Sequence, residues 1–265
     1  MQKARGLEYE LLGDGDPVLT IHGALIADTF LPVCREASLA DRYRLIRYRR
    51  RGHGGSDPYS SAISLGVPAQ DAVALLDHLG VERAHVIGHS GGGLMAVALA
   101  LEAPERVHSL VLLEPAIFSP DVTSAFLQGA APVLEAYGSG DAPRALDLWM
   151  ELVSVGADWR GETEKSLPGA VKQAEDDCAA FFEFEIPAIP AWVFDTDHAK
   201  QISQPVLYVV GTESGPLYEM AAQYFRSLVP QTEYVELPGV DHSMLTSDPK
   251  LVAKTAEAFL ARNPL

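Results

Sequence analysis

The sequence predicts an α/β protein: a mostly parallel sheet flanked by helices, with a helical insertion ahead of its last two strands. Three observations carry this. Short apolar runs alternate with helical runs over most of the chain, the pattern of a parallel sheet covered on both faces. A Gly-x-Ser-x-Gly tract, Gly88-His89-Ser90-Gly91-Gly92, stands between an apolar strand and an apolar run with helical spacing. From Ala116 to about Ser203 there is no convincing strand.

Taken in order, Leu7 to Leu12 and Val18 to Ile21 read as the first strands, joined through the turn Gly13-Asp14-Gly15-Asp16-Pro17. The second ends in His22-Gly23-Ala24. Thr29 to Ala37 reads as a helix, and Arg44 to Tyr48 as a strand running into Arg49-Arg50-Arg51-Gly52-His53-Gly54-Gly55-Ser56. Gly66 to Leu79 has helical periodicity and stops at Gly80, a C-cap signal. His85-Val86-Ile87 is a buried strand, and Leu94, Val97, Ala98 and Leu101 mark the helix behind the serine tract. Val107 to Leu113 is a further buried strand.

Helical runs then follow one another: Val122 to Tyr137, Ala142 to Val155 and Gly169 to Phe182. Val206 to Val210 resumes the strand pattern, Leu217 to Leu228 reads as a helix, Glu233 to Leu237 as the last strand and Pro249 to Arg262 as the last helix. The division expected is a sheet domain of residues 1–115 and 204–265, with residues 116–203 as a helical cap.

Composition narrows the function. Thirty-six acidic residues against 20 basic ones give a net charge of -16. Such a surface repels phosphate backbones and anionic membranes, so no nucleic-acid or membrane partner is expected. Cys34 and Cys178 are the only cysteines, and their separation reads as free thiols. No spacing of Cys and His suggests a metal, and no cofactor is expected. The first residues carry no apolar core of a signal peptide, and no apolar run reaches the roughly 20 residues of a membrane span. A cytoplasmic protein is the expectation.

The serine tract carries the chemistry. A chain that reverses between strand and helix in so few residues lifts Ser90 above the carboxyl edge of the sheet. It also places Ser90 at a helix N-terminus, where free N–H groups favour an oxyanion. A serine hydroxyl needs a base within hydrogen-bond reach. Of the eight histidines, His242 has the right placement, on a loop just after the last predicted strand. His22 and His53 belong to other motif loops, and His89 is expected to point away from the turn.

With these residues in place the sequence resembles the α/β-hydrolase superfamily, as a capped serine hydrolase, and the likeness covers the whole chain. Gly88–Gly92 resembles its nucleophile motif and His22-Gly23 its oxyanion loop. Arg51-Gly52-His53-Gly54-Gly55-Ser56 resembles its RGxGxS loop, and Gly239-Val240-Asp241-His242 its late histidine. The resemblance implies an eight-stranded, mostly parallel sheet and the chain order nucleophile, acid, histidine. It also implies an oxyanion hole made by the backbone N–H groups of Ala24 and Gly91. Donors aimed in this way typically supply a few kcal/mol in the transition state.

The acid is the open point. The commoner family pattern is Gly-x-x-Asp after the next-to-last strand; here that tract reads Gly211-Thr212-Glu213-Ser214. Serine stands in the aspartate's place, with Glu213 one position early. The strand after the elbow helix ends Leu113-Glu114-Pro115. Some branches of the family keep their acid at this strand end, among them a group of haloalkane dehalogenases and the zearalenone-type lactonases. Glu114 is therefore assigned, with Glu213 as the alternative. Asp241 is a poorer choice, because adjacent side chains on a loop diverge. The acid holds the imidazole tautomer and stabilises the imidazolium.

The arginine run is read as a charge run facing water rather than an anion site. Glu175-Asp176-Asp177 is read as a solvated helix face. Specificity is expected from the cap, with Phe118, Trp192 and Phe194 as pocket walls that favour an apolar or aromatic group. The activity expected is hydrolysis of a small-molecule carboxylic ester or lactone. Carbon–carbon bond hydrolysis, cofactor-free perhydrolysis and a non-catalytic small-molecule receptor are the competing readings. A haloalkane dehalogenase or epoxide hydrolase is disfavoured, since either needs an aspartate where Ser90 stands.

Overall fold

The computed structural model describes residues 1–265. Eight strands form one sheet: β1 (Gln2–Ala4), β2 (Leu7–Leu12), β3 (Asp16–Ile21), β4 (Tyr43–Arg49), β5 (Ala84–His89), β6 (Val107–Leu113), β7 (Val206–Gly211) and β8 (Glu233–Leu237). Their order across the sheet is β1-β2-β4-β3-β5-β6-β7-β8. β2 pairs antiparallel with β1 and β4, and every other pairing is parallel. β5, β6 and β7 are buried along nearly their whole length, as strands with helices on both faces must be. This is the α/β-hydrolase fold the sequence implied.

Several elements differ from expectation for identifiable reasons. β1 is a three-residue edge strand with no apolar pattern to announce it. The helix expected over 29–37 is two short turns, Leu31–Cys34 and Ala37–Ala40. The run expected over 122–137 is two helices, Pro120–Gly129 and Ala131–Gly138, with Pro132 in the first turn of the second. A proline there cannot supply the N–H that a continuous helix requires. The helix Trp159–Ser166 was not expected; its polar sequence buries only Trp159 and Thr163. The helix from Ala170 to Ala179 runs on into a π-helical turn, Ala180–Glu185. Such wider turns are frequent at functional sites.

Everything between β6 and β7 is helical or irregular. This insertion has its own apolar cluster, centred on Trp149, Met150, Phe181 and Phe182. That cluster also takes in Leu25 and Ile26 of the loop after β3, so the insertion packs directly on the segment that follows His22-Gly23. No helix is long and apolar enough to cross a membrane.

Candidate active site

The site lies at the carboxyl ends of β3, β5, β6 and β8. Ser90 follows β5 directly and has φ 54° and ψ -123°, a backbone conformation rare outside glycine. The turn survives because its neighbours yield no room for anything else. A Cβ on Gly88 would come within 2.5 Å of the Gly92 carbonyl oxygen, and one on Gly92 within 2.1 Å of the Ile21 carbonyl oxygen. On Gly93 it would meet the Pro115 side chain at 2.7 Å. The backbone of Ser90 is tied to the next strand at both ends. Its N–H donates to Leu113 O (3.0 Å), and its carbonyl accepts from Ala116 N (3.0 Å).

Those bonds place Glu114 beside the turn. Glu114 is itself at positive φ, 44°, an outlier of the kind that clusters at functional sites. Its carboxylate is fully buried and makes two bonds. Oε1 accepts from Gly211 N at 2.7 Å, and Oε2 receives the His242 Nδ1 proton at 2.6 Å. With Nδ1 committed as a donor, Nε2 of His242 is left as an acceptor. Glu213 stands on the exposed surface with its oxygen 3.5 Å from Thr212 Oγ1. Ser214 is buried against Gly211.

The His242 ring touches two others. Tyr218 stacks on it at 4.2 Å between centroids, and His89 lies 4.5 Å away. His89 therefore does not point away from the turn, as expected from sequence. Its Nε2–H donates to the His242 carbonyl at 3.0 Å, so it braces the loop that carries the histidine. Burial, and then the nearby His242, hold His89 well below the usual histidine range, and the ring stays neutral.

Ser90 opens onto two cavities. The first is walled mainly by apolar side chains, among them Met95, Ile117, Phe118, Phe126, Trp192 and Phe194. Phe118, Trp192 and Phe194, the residues named from sequence, line this cavity together with Phe181 and Trp149. The second contains His242 and is more polar, with Thr29, Thr163, Ser243 and Thr246. Ala24 and Trp149 border both. The Ala24 N–H donates to no group of the protein. It lies 3.9 Å from where a Cβ on Gly91 would stand.

The arginines correct the sequence reading. None of the three faces open water. Arg49 pairs with Asp28 and Glu8, and Arg51 grips Asp71 with two bonds. Arg50 is only 2% exposed; it pairs with the buried Glu185 and donates to Gly23 O at 2.7 Å. Burial pushes the Glu185 carboxyl up, and the guanidinium pulls it back only in part. The acidic stretch is also less solvated than expected: Asp177 accepts from Gly54 N at 2.6 Å and Glu175 pairs with Arg160. Arg50 and Glu185 were missed because nothing local marks a run of arginines as buried.

The description of the alpha/beta hydrolase family matches residues 18–255. The chain belongs to that family and is an α/β-hydrolase. Among its relatives is a non-heme chloroperoxidase of Streptomyces lividans, 28% identical over 93% of this chain and 92% of that one. A dihydrolipoyllysine-residue acetyltransferase component of the acetoin cleaving system of Cupriavidus necator is 37% identical over 44% of this chain. The chain spans about a third to two-fifths of the length of three of the curated relatives it matches. The solved enol-lactonase of Burkholderia xenovorans superposes with a TM-score of 0.76, covering 96% of each chain at 23% identity. At that identity the likeness is one of fold.

Proposed function

We propose that the chain is a serine hydrolase that cleaves a carboxylic ester or lactone of an apolar or aromatic small molecule. The observation that carries this reading is the buried 2.6 Å bond from His242 to Glu114, on a cavity wall shared with Ser90. Ser90 attacks the carbonyl carbon and His242 Nε2 takes its proton. Glu114 holds the imidazole tautomer and stabilises the imidazolium. The N–H groups of Ala24 and Gly91 receive the oxyanion. His242 then protonates the leaving oxygen, activates water against the acyl-enzyme, and Ser90 is released. An ester gives acid and alcohol; a lactone gives one ring-opened hydroxy acid.

The two cavities divide the substrate. The leaving oxygen must meet His242, so it lies toward the polar cavity; the acyl group fills the apolar one. Residues 116–203 act as the cap that shapes both, on a catalytic core of residues 1–115 and 204–265. Esterases and a lactonase among the solved structures of like fold agree with this reading. The full-length likeness to a chloroperoxidase favours, as a second reading, an acyl-enzyme that is taken by hydrogen peroxide to give a peracid.

A panel of p-nitrophenyl esters and aromatic lactones tests the proposal with wild type, Ser90→Ala and Glu213→Gln. Ser90→Ala is expected to lose on the order of 10³-fold or more in kcat, while Glu213→Gln keeps wild-type turnover. Hydrolysis that survives in Ser90→Ala, or a wild type inert toward every ester and lactone, would refute the reading. Peracid formation exceeding hydrolysis when peroxide is added would install the second.

A further inference from the structure

The Arg50–Glu185 pair sits where no local motif accounts for it. Both side chains are buried, and an isolated buried charge is strongly unfavourable unless paired and hydrogen-bonded. Glu185 comes from the π-helical turn of the insertion and lines the apolar cavity. Arg50 directly follows β4, on the sheet side. The guanidinium joins two partners at once: the Glu185 carboxylate and the carbonyl oxygen of Gly23.

The second partner matters because of covalent geometry. Gly23 C=O and Ala24 N–H belong to one planar trans peptide, and they point in opposite directions. Whatever fixes the carbonyl end therefore fixes the direction of the Ala24 N–H. The carbonyl has two donors. Arg50 Nη2 lies at 2.7 Å and His22 Nδ1 at 2.8 Å. His22 is locked in the donating tautomer, because its Nε2 accepts the Arg50 backbone N–H at 3.0 Å. The Gly23 backbone is in turn pressed against the site: a Cβ there would lie 3.2 Å from Ser90 Cβ and from His89 Nδ1. A carbonyl that accepts two hydrogen bonds, one of them from a cation, also makes the N–H of its own peptide a better donor.

We infer that Arg50, held in place by Glu185 of the insertion, is a positioning residue that aims and polarises the Gly23–Ala24 peptide as an oxyanion donor. The inference rests on the serine-hydrolase reading. It makes the insertion part of the catalytic apparatus, because the segment that walls the acyl cavity also anchors the guanidinium. An acyl group that displaces the π-helical turn would disturb the oxyanion hole through Glu185 and Arg50, without touching Ala24.

The plain alternative is that the pair only fastens the insertion to the sheet. The double variant Arg50→Met/Glu185→Leu separates the two. It removes both charges together, and replacing a buried pair by apolar residues is often neutral for stability. The expected result with p-nitrophenyl butyrate is a kcat lowered about 10- to 100-fold, of the order of a misplaced oxyanion donor, with KM within about twofold. The inhibition constant of a trifluoromethyl ketone, which forms a tetrahedral adduct, should rise in proportion to the loss in kcat/KM. The urea midpoint should stay near that of wild type.

Glu185→Gln keeps the shape and an acceptor oxygen but removes the anchoring charge. It is expected to show the same pattern at smaller size, and it serves if the double variant does not fold. A kcat that stays at the wild-type value in whichever variant folds overturns the inference. So does a loss that follows the urea midpoint and leaves the ketone's relative affinity unchanged. A wild type inert toward all esters refutes the serine-hydrolase reading, and this inference with it. Wild-type turnover that depends on Ser90 but ignores Arg50 and Glu185 refutes the inference alone.

Discussion

The carboxyl end of the sheet and the helical insertion build the same site by opposite means. At the sheet end, position is set by backbone. Ser90 and Glu114 are held at positive φ, their segments are cross-tied by main-chain bonds, and glycines sit where no Cβ fits. In the insertion, position is set by side chains. Trp149 meets Phe181, and Trp192 meets Phe194, ring against ring. A backbone-built site tolerates almost no change, whereas a side-chain wall can be reshaped one ring at a time. On the proposed function, chemistry and selectivity are thus placed on parts with different tolerance.

The sharpest way to break this contrast is at Glu114. Glu114→Gln keeps the shape but cannot hold His242 as the same tautomer with a charged partner. We expect kcat/KM to fall on the order of 10²- to 10⁴-fold, with little change in KM. A Glu114→Gln enzyme with wild-type kcat would remove the acid from the proposed mechanism.

Acid should also tell the two regions apart. Four histidines in the sheet region are buried and kept neutral, chiefly by desolvation: His53 is pushed down to about 3, His85 to about 4, and His22 and His89 well below the usual range. The insertion holds only His198, near the surface. The unfolded chain protonates these four rings below about pH 6.5 while the folded chain does not. The unfolded state then binds more protons, so stability falls with falling pH, by up to about 1.4 kcal/mol per pH unit for each ring. The loss runs from pH 6.5 down to about 4 for His85 and about 3 for His53. Urea unfolding at pH 7.5 and 5.5 should show a clear drop; equal stability at both would contradict the buried neutral rings.

A methyl group tests the glycine frame. Gly92→Ala puts a carbon 2.1 Å from the Ile21 carbonyl oxygen, where both partners are backbone. We expect a loss of about 3 kcal/mol or outright failure to fold. Recovery of a protein with an unchanged melting temperature would mean that the elbow can relax.

The smallest effect is expected from a much larger deletion. Trp192→Ala removes an indole from the wall of the apolar cavity. For a bulky aromatic acyl ester we expect KM to rise about three- to tenfold, on the scale of one lost apolar contact, with acetyl esters unaffected. Equal effects on both substrates would show that Trp192 holds the fold of the insertion rather than the acyl group.

The sequence alone determined what lies in one continuous tract. The strand-turn-helix around Ser90 needs its glycines locally, so the elbow, its helix and the family could be read directly. The same holds for His22-Gly23 and for a histidine just after the last strand. It favoured Glu114 over Glu213 from the motif pattern, but could not show which strand end faces His242 across the sheet. Only the tertiary structure brings β6 beside β7 so that Glu114 meets both Gly211 N–H and His242 while Glu213 turns to solvent. It alone also decided the fate of the arginine run. A cation is buried only if a distant chain segment supplies its counter-charge, and for Arg50 that is Glu185, brought over from the insertion. His89, one residue from the serine, took its role the same way, from a carbonyl at the far end of the chain. Local backbone chemistry is written in adjacent residues; the neutralisation of buried charge and the facing of side chains are set only when remote segments meet.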